Sequence, residues 1–382
     1  MQTIMIIFGT RPEAIKMAPL VTELSHRKNC RPLLCVSGQH RRMLDEVLCA
    51  FAMRPDYDLN IMRENQSPVG VTARILEALE PILRDTRPDT VLVHGDTATA
   101  QAAALCAFLT GIPIGHVEAG LRTYDMRHPF PEEFNRRAIS LVARWHFAPT
   151  EEAASNLRRE GVCRDNIFVT GNTVVDALRS TVRPDFSHPL LSWAEGRRLI
   201  LLTTHRRESI GPTMRGMLRA VARVASEHTD IAILCPLHPN PAVRSVAGQV
   251  LSGIPNLRIT DPLGVTEFHN LLARSFLVLT DSGGVQEEAA SLGIPALVLR
   301  DKTERPEGIR AGALRLTGTA EEDVYRNFLL LLKDPKIYRH MAETTHPYGD
   351  GRAAVRIADI LLGEQICGVR DKEPNGNPVV QE

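Results

Sequence analysis

The run Leu279-Thr-Asp-Ser-Gly-Gly-Val-Gln-Glu-Glu288 gathers residue types that can hold a pyrophosphate and a pair of hydroxyls. An apolar stretch, Phe276 to Thr280, gives way to Asp281, Ser282, Gly283 and Gly284, and the pattern predicts a helix beginning at Val285. Two glycines at a strand-to-helix turn let backbone N–H groups approach a ligand closely, and a helix start adds roughly half a positive charge. Glu288, one turn further on, offers two oxygens that can accept from vicinal hydroxyls such as those of a ribose. Together these features read as a nucleotide-diphosphate cradle rather than an ordinary glycine-softened turn.

Groups able to move protons or steady an anion sit at similar junctions elsewhere. Gly9-Thr10-Arg11-Pro12-Glu13 is followed by Lys16 one turn after Pro12. Pro12 suits a first helical position, and Arg11 beside it can grip phosphate bidentately. His94-Gly95-Asp96-Thr97 and His116-Val117-Glu118-Ala119-Gly120 each place a carboxylate just past a short apolar run. Asp96 alone fits a helix N-cap and Glu118 alone a surface ion pair, but two carboxylates at neighbouring strand ends suit general acid–base work. A third, Glu132, follows Pro131, with Arg136 four residues on, the spacing of a salt-linked helix start. His205, Arg206 and Arg207 form a cluster that is costly to gather unless an anion or carboxylate neutralises it. His238 is a further candidate, and the polar loop Asp301 to Glu307, which carries Arg305, can hydrogen-bond sugar or phosphate oxygens.

Elements able to position these groups follow from the hydrophobic pattern. Short β-branched runs alternate with helix-length amphipathic segments, which predicts a parallel sheet covered on both faces. The predicted strands of the first half are 3–8, 32–37, 90–94, 113–117, 146–148 and 167–170. Those of the second half are 199–203, 231–235, 257–260, 276–279, 296–299 and 314–316. Residues 180–196, rich in Pro, Ser and Trp, read as a linker between an N-terminal domain, 1–179, and a C-terminal domain, 197–364. The expected fold class is therefore α/β, two doubly wound Rossmann-like domains facing across a cleft, with ligands at strand C-terminal ends. Ala353 to Leu362 reads as a closing helix that packs back, and 365–382, without apolar period, as a disordered tail.

Composition narrows the function classes. Of 382 residues, 45 are Lys or Arg and 45 are Asp or Glu, so no bulk basic field exists to attract nucleic acid. No stretch approaches the ~20 apolar residues that span a bilayer. Met1 to Phe8 reads as a first buried strand rather than a signal peptide. The 7 cysteines are scattered and never form a C-x-x-C pair, which points away from zinc and a disulfide framework and towards a reducing cytoplasm. No strand is followed by G-x-G-x-x-G, no Walker-type G-x-x-x-x-G-K-[ST] occurs, and no metal-ligand spacing stands out.

The chain resembles the non-hydrolysing UDP-N-acetylglucosamine 2-epimerases, of glycosyltransferase-B-like fold. The matching motifs are FGTRPEAIKMAPL (Phe8 to Leu20), VHGDT (Val93 to Thr97), HVEAGLRT (His116 to Thr123), PEEFNR (Pro131 to Arg136), HRRES (His205 to Ser209), LTDSGGVQEEA (Leu279 to Ala289), RDKTERPE (Arg300 to Glu307) and PYGDG (Pro347 to Gly351). The resemblance runs from about Thr3 to Leu362. It implies elimination of UDP across carbons 1 and 2 of the sugar to a 2-acetamidoglucal, then re-addition of UDP with the proton on the other face. By motif, Asp96, Glu118 and Glu132 become the acid–base candidates, while His205 with Arg11 and Lys16 stabilises the departing diphosphate. Ser282, Gly283 and Gly284 would hold the phosphates, Glu288 the ribose, and Arg136 would position Glu132. Gln39, His40, Arg206, His238, Phe268 and Arg305 complete the implied substrate-binding set. No cofactor or metal is implied. The implied partner is a UDP-sugar substrate, the implied assembly a homodimer with a closing cleft, and the implied role the supply of precursor for bacterial surface polysaccharide.

The sequence departs from the family pattern at three places. Ser209 stands where members often have Asn, and Arg42 and Asn65 interrupt a pattern, otherwise matched by Gln39, His40 and Gln66, that accompanies activation by a second UDP-sugar. Spacing does not say which carboxylate removes the proton. Four alternatives stay open: epimerisation of a modified UDP-N-acetyl sugar, a hydrolysing relative, a glycosyltransferase of the same fold, and a non-catalytic UDP-sugar sensor. The full RPEAIK and PEEFNR motifs speak against the hydrolysing relative, the unbroken first-half match against a transferase acceptor groove, and the three carboxylates against a sensor.

Overall fold

The fold is described from a computed structural model covering residues 1–38, 41–63, 66–204, 206, 209–344 and 347–363. Seven strands build the first sheet: β1 (Gln2–Phe8), β2 (Cys30–Val36), β3 (Tyr57–Asp58), β4 (Thr90–His94), β5 (Ile114–Val117), β6 (Trp145–Ala148) and β7 (Ile167–Val169). Six build the second: β8 (Arg198–Thr203), β9 (Ile231–Pro236), β10 (Leu257–Thr260), β11 (Leu277–Thr280), β12 (Ala296–Val298) and β13 (Leu314–Leu316). Every predicted strand is present, with ends moved by a residue or two. The addition is β3, a two-residue edge strand too short to show alternation.

Strand order is β3-β2-β1-β4-β5-β6-β7 in one sheet and β10-β9-β8-β11-β12-β13 in the other, and the pairings are parallel. Parallel strands covered on both faces must be apolar throughout, and Ile4, Met5, Ile6, Ile7 and Phe8 are each 0% exposed. At ~1.5–3 kcal/mol for each large apolar side chain, β1 alone anchors the turn at its end firmly. The order reverses beside β1 and β4 in the first sheet, and beside β8 and β11 in the second. Such switch points open a crevice at the carboxyl ends of the strands.

The chain passes between the halves twice. Helix Thr173–Thr181 sends Ala177 into the core beneath the first sheet and Val174 and Val175 into that of the second. Residues 180–196 are not wholly irregular, since they include the short helix Pro189–Ala194, capped by His188 Nδ1 accepting from the Leu190 amide at 3.2 Å. Six residues are too few to display a helical period. On the return, Asp176 accepts from the amides of Ala353 (3.2 Å) and Ala354 (2.9 Å), capping helix Ala353–Leu362. That helix buries Ala354, Ile357, Ala358 and Leu361 against the first-half core. The two crossings touch where the Asn172 amide donates to Tyr348 O at 2.8 Å. The stretch read as a tail lies outside the described residues. Among the described residues, no helix is long and apolar enough to cross a membrane, and the six cysteines described are free thiols.

Candidate active site

Several of the predicted groups follow strands at or beside the two switch points. Gly9 to Arg11 follow β1, Asp96 follows β4, and Glu118 follows β5. Glu13, which sequence reading left without a role, ties the first two together. Its Oε2 accepts from the amides of Gly9 (3.1 Å) and Thr10 (2.8 Å) and from Thr10 Oγ1 (2.7 Å), and its Oε1 accepts from Thr97 Oγ1 (2.7 Å). Burial pushes this carboxyl up to about 7 against those four donors. The signal was a capping-box glutamate three residues after Thr10.

Lys16 is buried and donates to Glu118 of the first half and to Glu287 Oε2 (2.7 Å) of the second. The ionic chain continues from Glu287 Oε1 to Arg305 Nε (2.6 Å), from Arg305 Nη1 to Glu304 Oε1 (2.7 Å), and from Glu304 to Arg206 Nη2 (3.3 Å) and Arg300 Nη1 (2.7 Å). Three carboxylates alternate with four cations along this chain of contacts among the described residues. Burial alone would raise Glu118, but Lys16, then His94 and Arg305, outweigh it and hold the carboxyl well below its usual range. Burial alone would lower Lys16, and Glu118 and Glu287 reverse that too.

Glu118 has φ +64°, in the left-handed region that non-glycine residues occupy at a cost of roughly 1–2 kcal/mol. Strain of that kind is retained where it aims a side chain. Glu118 Oε2 also accepts from Asn172 Nδ2 (3.0 Å), whereas its Oε1 makes no hydrogen bond among the described residues. One oxygen is held, and the other is open among the described residues.

Helix Glu132–Val142 brings the remaining carboxylates. Arg136 pairs with Asp96 and, through Nη1, with Glu133 Oε2 (3.4 Å), so among the described contacts it holds Asp96 rather than Glu132. Glu133 is fully buried and fastens the preceding loop by accepting from the amides of Thr123 (3.0 Å) and Tyr124 (3.1 Å). Glu132 keeps a buried Oε2 without a hydrogen-bond partner among the described residues, and burial, reinforced by Asp96, raises its proton affinity. Three neighbouring carboxylates therefore stand in different electrostatic states: Glu118 firmly ionised, Asp96 paired, Glu132 inclined to keep its proton.

The helix after β11 runs Gly283–Ser291, two residues earlier than the sequence pattern predicts, because Gly283 and Gly284 form its first turn and Ser282 becomes the N-cap residue. Gly283 is required by close approach: a Cβ there would lie 2.4 Å from Arg305 Nη1 and 2.7 Å from its Cζ. Gly284 faces open space, with only Glu288 Oε1 at 4.0 Å. Thr204 Oγ1 (2.9 Å) and the Arg206 amide (3.0 Å) both donate to Asp281 Oδ2, joining the ends of β8 and β11. Glu288 Oε1 stands 3.7 Å from His269 Nε2, and its buried Oε2 accepts no hydrogen bond among the described residues. Arg11 reaches across the halves to donate to Leu263 O at 2.8 Å, and burial lowers its proton affinity against the opposing field of Glu288. Phe268 is half-buried and edge-on to His269 at 6.4 Å. His238 is exposed, its Nδ1 accepting from the Asn240 amide at 3.2 Å. Gln39, His40 and His205 lie outside the described residues, as do Arg207, Glu208 and Asn65. Sequence reading missed Glu287 and Glu304, for which the only signal was a second carboxylate beside Glu288 and one beside Arg305.

Comparison with known proteins agrees with this geometry. A family model described as UDP-N-acetylglucosamine 2-epimerase matches residues 22–362. The UDP-N-acetylglucosamine 2-epimerase of Bacillus subtilis is 50% identical over 372 residues, covering 97% of both chains. The solved S. aureus MnaA–UDP co-structure superposes with a TM-score of 0.91 at 46% identity, covering 94% of this chain and 96% of that one. The Neisseria meningitidis UDP-GlcNAc 2-epimerase bound to UDP-GlcNAc does so with a TM-score of 0.91 at 42% identity, covering 95% and 100%. With its paired switch points, cationic chain and three carboxylates, the chain belongs to the UDP-N-acetylglucosamine 2-epimerase family and is an isomerase of α/β, glycosyltransferase-B-like fold.

Proposed function

We propose that the chain interconverts UDP-N-acetylglucosamine and UDP-N-acetylmannosamine by the non-hydrolysing route, without a cofactor. The hydrogen on carbon 2 is not adjacent to a carbonyl, so simple removal and return is unfavourable. An ionised carboxylate takes that proton, the freed pair forms the carbon 1–carbon 2 double bond, and the carbon 1–oxygen bond breaks with its electrons passing to UDP. Re-addition reverses each bond change, with a proton delivered to the opposite face of carbon 2. The observation that carries this reading is the unequal state of Glu118, Asp96 and Glu132 beside the cations Lys16, Arg305, Arg206 and Arg300. Glu132 serves as the proton donor, Glu118 is the ionised partner, and Asp96 acts from its pairing with Arg136. Arg11, Lys16 and the open start of helix Gly283–Ser291 receive the diphosphate, and the unpartnered Oε2 of Glu288 receives a ribose hydroxyl. By motif, His205 joins the diphosphate-binding set, and Gln39, His40, Arg206, His238, Phe268 and Arg305 complete the substrate-binding set.

The two-domain division at 180–196, a homodimer and a cytoplasmic setting belong to the same proposal. Exposed Phe108, Leu109, Phe134 and Leu141, on two helices packed together, support the dimer. Positional isotope exchange tests the bond-breaking step. Substrate with oxygen-18 in the carbon 1–phosphate bridge should scramble the label into the non-bridging β-phosphate positions as turnover proceeds. Full retention of the bridging label during epimerisation would rule out elimination of UDP.

A further inference from the structure

His94, the last residue of β4, is buried, and its Nε2 has no hydrogen-bond partner among the described residues. A buried polar atom left unpaired costs roughly 1–3 kcal/mol, and such atoms in native structures ask for a reason. The reason stands 3.8 Å away: Glu118 Oε2, just beyond hydrogen-bonding reach. That oxygen is already taken by Lys16 and Asn172.

Lys16 is the partner that can leave. Its ammonium has three donors, two of them spent on Glu118 and Glu287, and it lies on the helix that Arg11 begins. A diphosphate entering the site carries more charge than one carboxylate and competes for that ammonium. With Lys16 drawn off, Oε2 of Glu118 would keep Asn172 alone, in a left-handed backbone conformation that the charge pair no longer supports.

We propose that His94 is a positioning residue for Glu118: its Nε2–H closes onto Oε2 when the diphosphate claims Lys16, holding the carboxylate in place for the sugar. This rests on the functional reading above. The charged groups facing His94 are Glu118 beyond β5, Lys16 on helix Arg11–His26 and Asp96 beyond β4, with His116 of β5 also nearby. Burial, strengthened by Lys16 and opposed by Glu118 and Asp96, pushes the imidazole down to about 4, so near neutrality the ring is uncharged. A neutral ring can hold the carboxylate without pinning it as the ammonium does, leaving Glu118 freer to accept a proton in the loaded enzyme than in the empty one.

Two experiments on the full chain test this. In wild-type protein, UDP alone should bring a slowly exchanging histidine ring N–H resonance downfield, absent from His94→Gln; because this needs only binding, it is independent of whether the sugar is epimerised. In turnover with UDP-N-acetylglucosamine, His94→Phe should lose ~10-fold or more in kcat with UDP affinity held within about twofold. The acid limb of its kcat–pH profile should also move to higher pH. His94→Gln, which returns a donor near the Nε2 position, should recover most of the rate. An unchanged ring resonance on UDP saturation would overturn the proposal, as would full kcat in His94→Phe or equal losses in both variants with weakened UDP binding. Failure of wild-type epimerisation would instead strike the functional reading, leaving the ring resonance to decide for His94.

Discussion

Three carboxylates of one chemical type are made unequal by their neighbours, and the pH response follows from that. Lys16 keeps Glu118 ionised, whereas burial and Asp96 favour the protonated form of Glu132. A donor whose affinity is raised stays protonated to higher pH, so activity that needs its proton persists through the mildly acidic range and falls as pH rises through the elevated pKa. Glu132→Gln should lower kcat by ~10² or more and abolish that alkaline limb, and Asp96→Asn and Glu118→Gln should each cost ~10² or more. Full activity in any of the three would remove that residue from proton transfer. Asp96 and Glu118 were legible in the sequence because each follows a short apolar run, and Glu132 because it follows Pro131 at a helix start. Their partners were not: Arg136 stands four residues from Glu132, yet the fold brings Asp96, 40 residues away, within its reach. Spacing along a helix describes local neighbours, and strand-end loops supply the rest.

Elements place these groups because both sheets reverse direction beside their first strands. Alternating strand and helix patterns were enough to predict twelve strands and a cleft at their C-terminal ends, but not the strand order that sets the switch points. Short elements, β3 and helix Pro189–Ala194, carry no measurable period. The start of helix Gly283–Ser291 shows what composition alone misses. Two adjacent glycines looked equivalent, yet one lies under the Arg305 guanidinium and the other faces open space. Gly283→Ala should therefore displace Arg305 from Glu287 and Glu304, and breaking buried pairs of this kind costs ~3–5 kcal/mol. Gly284→Ala should leave thermal stability nearly unchanged. Equal melting temperatures for the two variants would show that Arg305 yields at little cost and that the packing argument is wrong.

Across the whole molecule, the halves are joined by two chain crossings and by charge. The Lys16–Glu287 pair and the Arg11–Leu263 hydrogen bond span the cleft, so the groups proposed to meet the diphosphate also link the halves. The return crossing through Tyr348 was legible only as the motif PYGDG, and its contact with Asn172 depends on residues 176 positions apart in sequence. What this architecture is proposed to do is to hold UDP at one switch point while a proton leaves and returns at the other. Proton NMR of the purified protein with UDP-N-acetylglucosamine in deuterated water tests that most directly. UDP-N-acetylmannosamine should appear, with deuterium replacing the carbon 2 hydrogen in both sugars and no free sugar accumulating. Conversion with the carbon 2 hydrogen fully retained, or free N-acetylmannosamine with UDP as the products, would contradict it.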